Sequence, residues 1–412
     1  MANTRIPANA AIPFLVAMML LTGVCNTLLT KYQDNQCVRN CDDPDPKRRQ
    51  HFEQPVIQTA QMFIGEMGCF AVLGVITLFK RYVLKSSSAT VAYQPVNTSD
   101  DAPADDAASI HSRTALTGQS KSENPELKGW KVCLLALPST CDLLGTTLMN
   151  IGLLLVVPSI YQMTRGALVL FVGLFSVVFL RRKLHLFHWA SLFGVVLGVA
   201  VVGLAGAIQP DKKTPSSTEN EMSGDAARVI LGVLMIAGAQ IFTATQFVLE
   251  EHLLERYAIE PIRVVGWEGV FGFAVTFIAM VVLHLVVGRT EAGHLGPFDL
   301  VEGWRQFWEY KPVFISSILI MISIGGFNFF GISVTRSVSA TARSTIDTCR
   351  TLFIWLVSLG LGWETFKWLQ VVGFTLLVYF TFVFNGIVQP PFEFLKVKEV
   401  EELLPEDPIE HN

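Results

Sequence analysis

The sequence predicts an all-α polytopic membrane protein: ten transmembrane helices in two inverted five-helix repeats. Three observations predict it. Of 412 residues, 51% are hydrophobic and 16% charged, with a mean hydropathy of +0.45, whereas about a quarter of a soluble domain is charged. Apolar runs near twenty residues long recur ten times along the chain, the length that spans a hydrocarbon core about 30 Å thick. Two stretches also echo one another. Thr164-Arg165-Gly166 followed by Phe187-His188-Trp189 matches Ala342-Arg343-Ser344 followed by Phe366-Lys367-Trp368, at offsets of 178 and 179 residues. A weaker echo joins Glu53-Gln54-Pro55 to Ile259-Glu260-Pro261. Five helices per half, an odd number, forces the halves to be antiparallel in the membrane.

The spans are expected at residues 11–30, 56–79, 130–149, 158–180, 185–208, 229–250, 262–287, 312–333, 338–361 and 366–388. In sequence terms, 1–85 holds helices one and two with a polar non-cytosolic loop, and 86–127 is a cytosolic loop rich in Ser, Asp, Ala, Thr and Pro. Such a loop cannot bury enough apolar surface to order itself. Residues 128–208 complete the first repeat, 209–388 form the second, and 389–412 make an acidic cytosolic tail. The first span follows only Arg5 and has no small-residue cleavage site after a short apolar core, so it reads as a retained helix. Lys and Arg lean to the cytosolic side, most sharply at Arg181-Arg182-Lys183 after span four, against none between spans three and four. Both termini are therefore expected in the cytosol.

Polar residues inside these spans are the informative ones, because an arginine at mid-bilayer costs about 2.5–3.5 kcal/mol even on lenient insertion scales. Span one carries Thr22 and Asn26, and span two Gln58, Gln61 and Glu66. In span three, Pro138, Asp142 and Thr146 form one strip, where Pro138 frees a carbonyl. Span four opens with Tyr161 and Gln162 and holds Arg165, with no acid three or four residues away. Gly194 and Gly198 in span five form a small-residue packing face. Gln240, Thr243 and Gln246 lie in span six, Glu268 in span seven and Asn328 in span eight. In span nine, Arg343, Asp347 and Arg350 share a helical face, so Asp347 can pair with either arginine.

Asn26, Gln61, Asp142, Gln162, Arg165, Gln246, Asn328, Arg343, Asp347 and Arg350 are the candidates for substrate binding or gating. Glu66, Asp142 and Glu268 are the candidates for carrying a proton or neutralising Arg165. Three arginines against four acids deep in the spans leave the sign of a substrate unreadable from charge. Each neutral polar residue, taken alone, is more readily explained by interhelical hydrogen bonding.

Other classes are disfavoured. No long basic run tracks a phosphate backbone, so nucleic acid is not an expected partner. HExxH and GxSxG are absent, and Asp142 and Asp347 lack the contexts of intramembrane aspartyl proteases, so an enzyme is not expected. Cys25, Cys69, Cys133, Cys141 and Cys349 fall in apolar segments and read as packing. Cys37 and Cys41 share a polar loop, where C-x3-C spacing allows a lumenal disulfide but lacks the second pair of a zinc site. No cofactor or metal is expected. The tail's Glu399-Val400-Glu401-Glu402-Leu403-Leu404 has the acidic dileucine form read by endolysosomal sorting adaptors, with Glu399, Leu403 and Leu404 at its defining positions. A frayed amphipathic tail is the alternative.

Pro138-Ser139-Thr140-Cys141-Asp142-Leu143-Leu144-Gly145-Thr146-Thr147-Leu148-Met149, Tyr161-Gln162-Met163-Thr164-Arg165-Gly166 and Gly173–Leu180 resemble the drug/metabolite transporter superfamily. The likeness is closest to the F subfamily of solute carrier family 35, in its sixth-member branch. It continues through Gln246–Glu251, Gly360-Leu361-Gly362-Trp363-Glu364 and Asn385-Gly386, covering nearly the whole chain. The resemblance implies ten helices in two inverted repeats, alternating access and a central cavity to which Asp142, Gln162 and Arg165 contribute. It also implies an internal membrane, lysosomal sooner than Golgi. Lysine-containing and paired-asparagine signatures of well-defined nucleotide-sugar carriers are not found, and Phe384 stands where the family often has Tyr.

The expected activity is secondary transport of a small polar or anionic metabolite across a lipid bilayer, by a monomer or homodimer. The rivals are a proton-coupled drug or amine exporter and a scaffold acting through the cytosolic loop and tail.

Overall fold

A computed structural model describes residues 8–41, 49–52, 54–82, 125, 127, 129–156, 161, 164–181, 184–208, 224–290, 296, 298–362, 366–385 and 387–389. Gln162, the 86–124 part of the expected loop, and Glu399, Leu403 and Leu404 lie outside the described residues.

The helices are α1 (Ala8–Asp34), α2 (Pro55–Tyr82), α3 (Ala136–Leu155), α4 (Leu168–Val178), α5 (Leu186–Ile208), α6 (Gly224–Arg256), α7 (Pro261–Leu283), α8 (Leu300–Glu309), α9 (Lys311–Ser337), α10 (Ala340–Gly360) and α11 (Trp368–Phe384). Among the described residues, six helical stretches are long and apolar enough to cross a membrane: Ala11–Asp34, Pro55–Phe79, Gly129–Gly152, Ile230–Arg256, Pro261–Gly288 and Lys311–Ser337. Leu168–Val178, Leu186–Val202 and Trp368–Phe384 are shorter apolar helices. α10 has the length to cross but carries Arg343, Asp347 and Arg350, which lower its hydropathy. Helix dominates because lipid offers backbone groups no other partner. The protein is a multi-pass membrane protein.

Local differences from expectation have physical causes. Span four is not one continuous helix from residue 158. Thr164 and Arg165 are helical, Gly166 and Ala167 form a turn, and α4 starts at Leu168. The Ala167 amide bonds back three residues to the Thr164 carbonyl at 3.1 Å. Pro138 frees no mid-helix carbonyl, because it lies in the first turn of α3, just after a 3-10 stretch at Gly129–Leu135, where its missing N–H is tolerated. α7 ends in a π segment, His284–Gly288.

Two elements were not expected: the amphipathic α8, and a two-stranded antiparallel hairpin of β1 (Cys37–Arg39) and β2 (Gln50–His51). A disulfide joins Cys37 to Cys41 beside the hairpin.

The chain divides into two compact units, Met1–Leu144 with Leu249–Ser339, and Gly145–Val248 with Ala340–Asn412. Each therefore draws helices from both sequence halves. In the first unit α1 packs on α9, and α2 packs on both α7 and α9. Small residues allow the approach: a Cβ on Gly65 would collide with the Met321 carbonyl, and one on Gly272 with the Phe63 ring. Leu135, Leu253, Val264, Val265 and Ile332 form one apolar cluster of this unit.

In the second unit α5 packs on α11, and α10 on α4 and α11. A Cβ on Gly198 would stand 2.8 Å from the Leu377 amide nitrogen, so the expected Gly194/Gly198 face is a close helix contact. Val169, Leu192, Val195, Ala342 and Phe384 cluster there.

Candidate functional site

In the second unit the expected arginines converge. Burial places Arg343 among the largest fully enclosed side chains, at 1% exposure. Its guanidinium carbon lies 4.1 Å from the centroid of the Phe247 ring, a cation–π contact from α10 to α6. Asp347, one turn along α10, makes a two-contact pair with Arg350: Nη2 to Oδ2 at 3.4 Å and Nε to Oδ1 at 3.3 Å. Of the two pairings the spacing allowed, this ion pair with Arg350 is the one formed. Arg165 stands within electrostatic range of Tyr161 and Asp347. Arg350 in turn feels Asp347, Arg165, Tyr161 and Arg343.

Arg165 and Arg343 thus lie within electrostatic range of the Arg350–Asp347 pair. Asp347 is also the one acid that the sequence places in α4, α5, α10 or α11. The break at Gly166–Ala167 sets Arg165 at the end of a helical segment, held where Gly166 meets the Val199 side chain of α5. Interrupted helices of this kind are where membrane carriers expose polar groups. Around the cluster, Ser176 bonds Thr341 at 3.1 Å, the Cys349 thiol donates to the Thr381 hydroxyl at 3.3 Å, and Gln246 is buried beside Phe247.

The first unit holds a different polar set. Gln58 donates to Asp34 at 2.5 Å and Gln33 to Ser317 at 2.7 Å; Gln61 donates to the same Ser317 hydroxyl at 3.0 Å. Farther along the same helices, Ser323 donates to Asn26 at 3.3 Å, and Asn328 donates to Glu66 at 2.6 Å. Glu66 is only 3% exposed. Glu268 is buried in α7, where its backbone carbonyl accepts the Ser139 hydroxyl of α3 at 2.8 Å, and Asp142 is half-buried on α3. Asn26, Gln61, Glu66 and Asn328 therefore line one α1–α2–α9 bundle, while Arg165, Arg343, Asp347 and Arg350 share the other unit's cluster.

Sequence reasoning missed Phe247, Gln33 and Ser317 as participants. Phe247 gave no signal, since one aromatic in an apolar helix resembles any other. Gln33 was detectable as the residue seven beyond Asn26 on one face of α1.

Comparison with known proteins decides the family. The chain is 34% identical over 379 residues to solute carrier family 35 member F6 of Homo sapiens and of Pongo abelii. Both alignments cover 92% of this chain and 89% of the relative. The chain belongs to the F subfamily of solute carrier family 35. An uncharacterized protein of Schizosaccharomyces pombe is 33% identical over 374 residues, 91% of this chain and 97% of its own. The family model described as nucleotide-sugar transporter matches residues 122–250. A solved crystal structure superimposes with a TM-score of 0.52 at 11% identity, covering 91% of this chain and 99% of that one; this likeness is of the fold alone. As a family-35 carrier the chain is a membrane solute transporter and not an enzyme. The nucleotide-sugar match takes in Asp142, Arg165 and Gln246 and stops short of the α10 triad.

Proposed function

We propose that this carrier moves a small polar or anionic metabolite, nucleotide-sugar-like or related, by alternating access through a central cavity. The carrying observation is that Arg165 and Arg343 both lie within electrostatic range of Arg350, which pairs with Asp347. Arginines inside membrane-spanning helices are rare, face the bundle interior or a water-filled cavity, and mark the paths that polar substrates take. Arg165 is the main electrostatic contact, and the Arg343–Asp347–Arg350 face is a second contact or gate. The family-model match over 122–250 supports a phosphate-bearing cargo.

Helix pairing supports ten spans in two inverted repeats. Counting α1–α7 and α9–α11 as spans one to ten, α2–α7, α4–α10 and α5–α11 are the pairs two–seven, four–nine and five–ten. Exchange of the halves maps each of these onto itself. α1–α9 is one–eight, and its exchanged counterpart, six–three, is the contact in which Gly152 of α3 meets Ile236 of α6.

A second reading, a proton-coupled drug or amine exporter of an internal membrane, is favoured by the buried carboxylates Glu66 and Glu268. In either case we place the carrier in an endolysosomal membrane with both termini cytosolic, with its tail read by sorting adaptors.

Two experiments test the reading. Purified protein is screened by thermal shift against nucleotides, nucleotide sugars, amino acids and cationic drugs, because a ligand that grips the folded form raises its stability. Stabilisation by the anionic set alone is expected. Uptake of that ligand into proteoliposomes is then measured for wild type and Arg165→Ala. Wild-type rates in the variant, or stabilisation only by cationic drugs, overturn the anion reading in favour of the exporter.

A further inference from the structure

We propose that α8 is an interfacial helix whose apolar stripe, Val301, Trp304 and Trp308, lies in the lipid at the membrane edge of the first unit. The helix is amphipathic in the reverse of the soluble sense. Its polar side is the buried one: Glu302, Gly303 and Gln306 are enclosed, while Val301, Trp304 and Trp308 are 68%, 59% and 57% exposed. Spacings of three and four put these three on one face.

The orientation is fixed from beneath. Glu302 accepts from Arg39 of β1 at 3.0 Å, from Arg305 at 2.9 Å and from Gln306 at 2.9 Å. Gly303 sits so close to Ile57 and Gln54 that a Cβ there would collide with Ile57. Asp299 caps the helix, accepting from the Val301 and Glu302 amides at 3.1 and 3.4 Å. The stripe therefore cannot roll inward without breaking a buried carboxylate's hydrogen bonds.

Continuity with the lipid-facing surface identifies the occupant. α9 starts at Lys311, one residue after the α8 cap Tyr310, so α8 sits at the level where α9 enters the bilayer. Phe307 and Trp308 pack on Phe314, in the first turn of α9, at 5.4 and 5.2 Å between centroids. Beyond it, Ile315 and Ile322 continue the exposed apolar surface along α9, and Leu285 and Val286 do so at the end of α7. Tryptophan is suited to this depth, because the ring is apolar while its N–H can remain hydrated. Arg305 is paired with Glu302 and approaches Glu309 at 3.8 Å, so its charge is offset within the helix. Apolar burial, not headgroup charge, is the attraction.

The test uses the full chain in phosphatidylcholine vesicles brominated either near the headgroup or near the bilayer centre. Wild type is compared with the Trp304→Phe/Trp308→Phe double variant, which keeps apolar rings but removes two of eight tryptophans. The expected result is that the fluorescence lost in the double variant is a component that shallow bromines quench more strongly than deep ones. Quenching by aqueous iodide stays unchanged. Loss of an iodide-quenched component instead would make the stripe solvent-facing, and loss of a component quenched by neither would mean that a protein, such as a second copy, covers it. Either overturns the proposal. Should the double variant fail to reconstitute, Trp308→Phe alone is read in the same way.

Discussion

The two compact units handle buried polarity in opposite ways. In the first, α1, α2 and α9 share a run of amides and hydroxyls that ends at the Glu66 carboxylate, and bonds between neutral side chains satisfy most of it. In the second, α10 and the short helical segment that ends at Arg165 bring Arg165 and Arg343 within electrostatic range of Arg350, which pairs with Asp347. Neutral interhelical bonds contribute about 0.6–2 kcal/mol each. Breaking a buried ion pair costs about 3–5 kcal/mol. The second unit is thus where membrane-interior arginines are concentrated, while the first holds buried carboxylates, Glu66 and Glu268 among them.

Substitutions can break this contrast, beginning with the largest effect. Arg165→Ala is expected to abolish uptake in proteoliposomes while the purified protein keeps its size-exclusion profile; a variant that transports normally would erase the distinction between the units. Asp347→Ala removes the carboxylate that pairs with Arg350, and thermal unfolding should show a loss of about 3–5 kcal/mol. Gly198→Leu drives a side chain into the α11 backbone and should destabilise by about 1–3 kcal/mol, whereas Gly68→Leu in the first unit, where a Cβ would meet nothing within 4 Å, should be near neutral.

Smaller effects sharpen the comparison. Glu66→Gln keeps an oxygen to accept from Asn328, so the fold should be retained and anion uptake should fall far less than for Arg165→Ala. If instead it stops pH-driven efflux of an amine, the exporter reading gains. Ser317→Ala removes one acceptor shared by Gln33 and Gln61 and should cost only about 0.6–2 kcal/mol by thermal shift.

Much of this was legible from residues alone. Arg165, Arg343, Asp347 and Arg350 stand out because charge is costly in lipid, and hydropathy places the long helices. The choice of Arg350 as the partner of Asp347 was not legible, since i,i+3 and i,i+4 spacings are equally good on a helix surface. Nor was the assignment of Glu66 and Arg165 to different units, because each unit takes its helices from distant parts of the chain. α8 was missed for another reason. Ten residues between two spans are too few for a hydropathy window, although the pattern Val301, Trp304, Trp308 was there to be read. The hairpin escaped because strands of two and three residues carry almost no alternation.

Interleaving of the units also sets an order for biosynthesis. Glu66 leaves the ribosome 262 residues before its donor Asn328, and Arg165 is made well before Asp347. Neither unit is contiguous, so truncation after the first five spans yields no half-protein that can close. The early helices must wait in the membrane or beside the insertion machinery with their polar faces unmatched. Defects in assembly should therefore surface as degradation of nascent chains, before any transport defect can be measured.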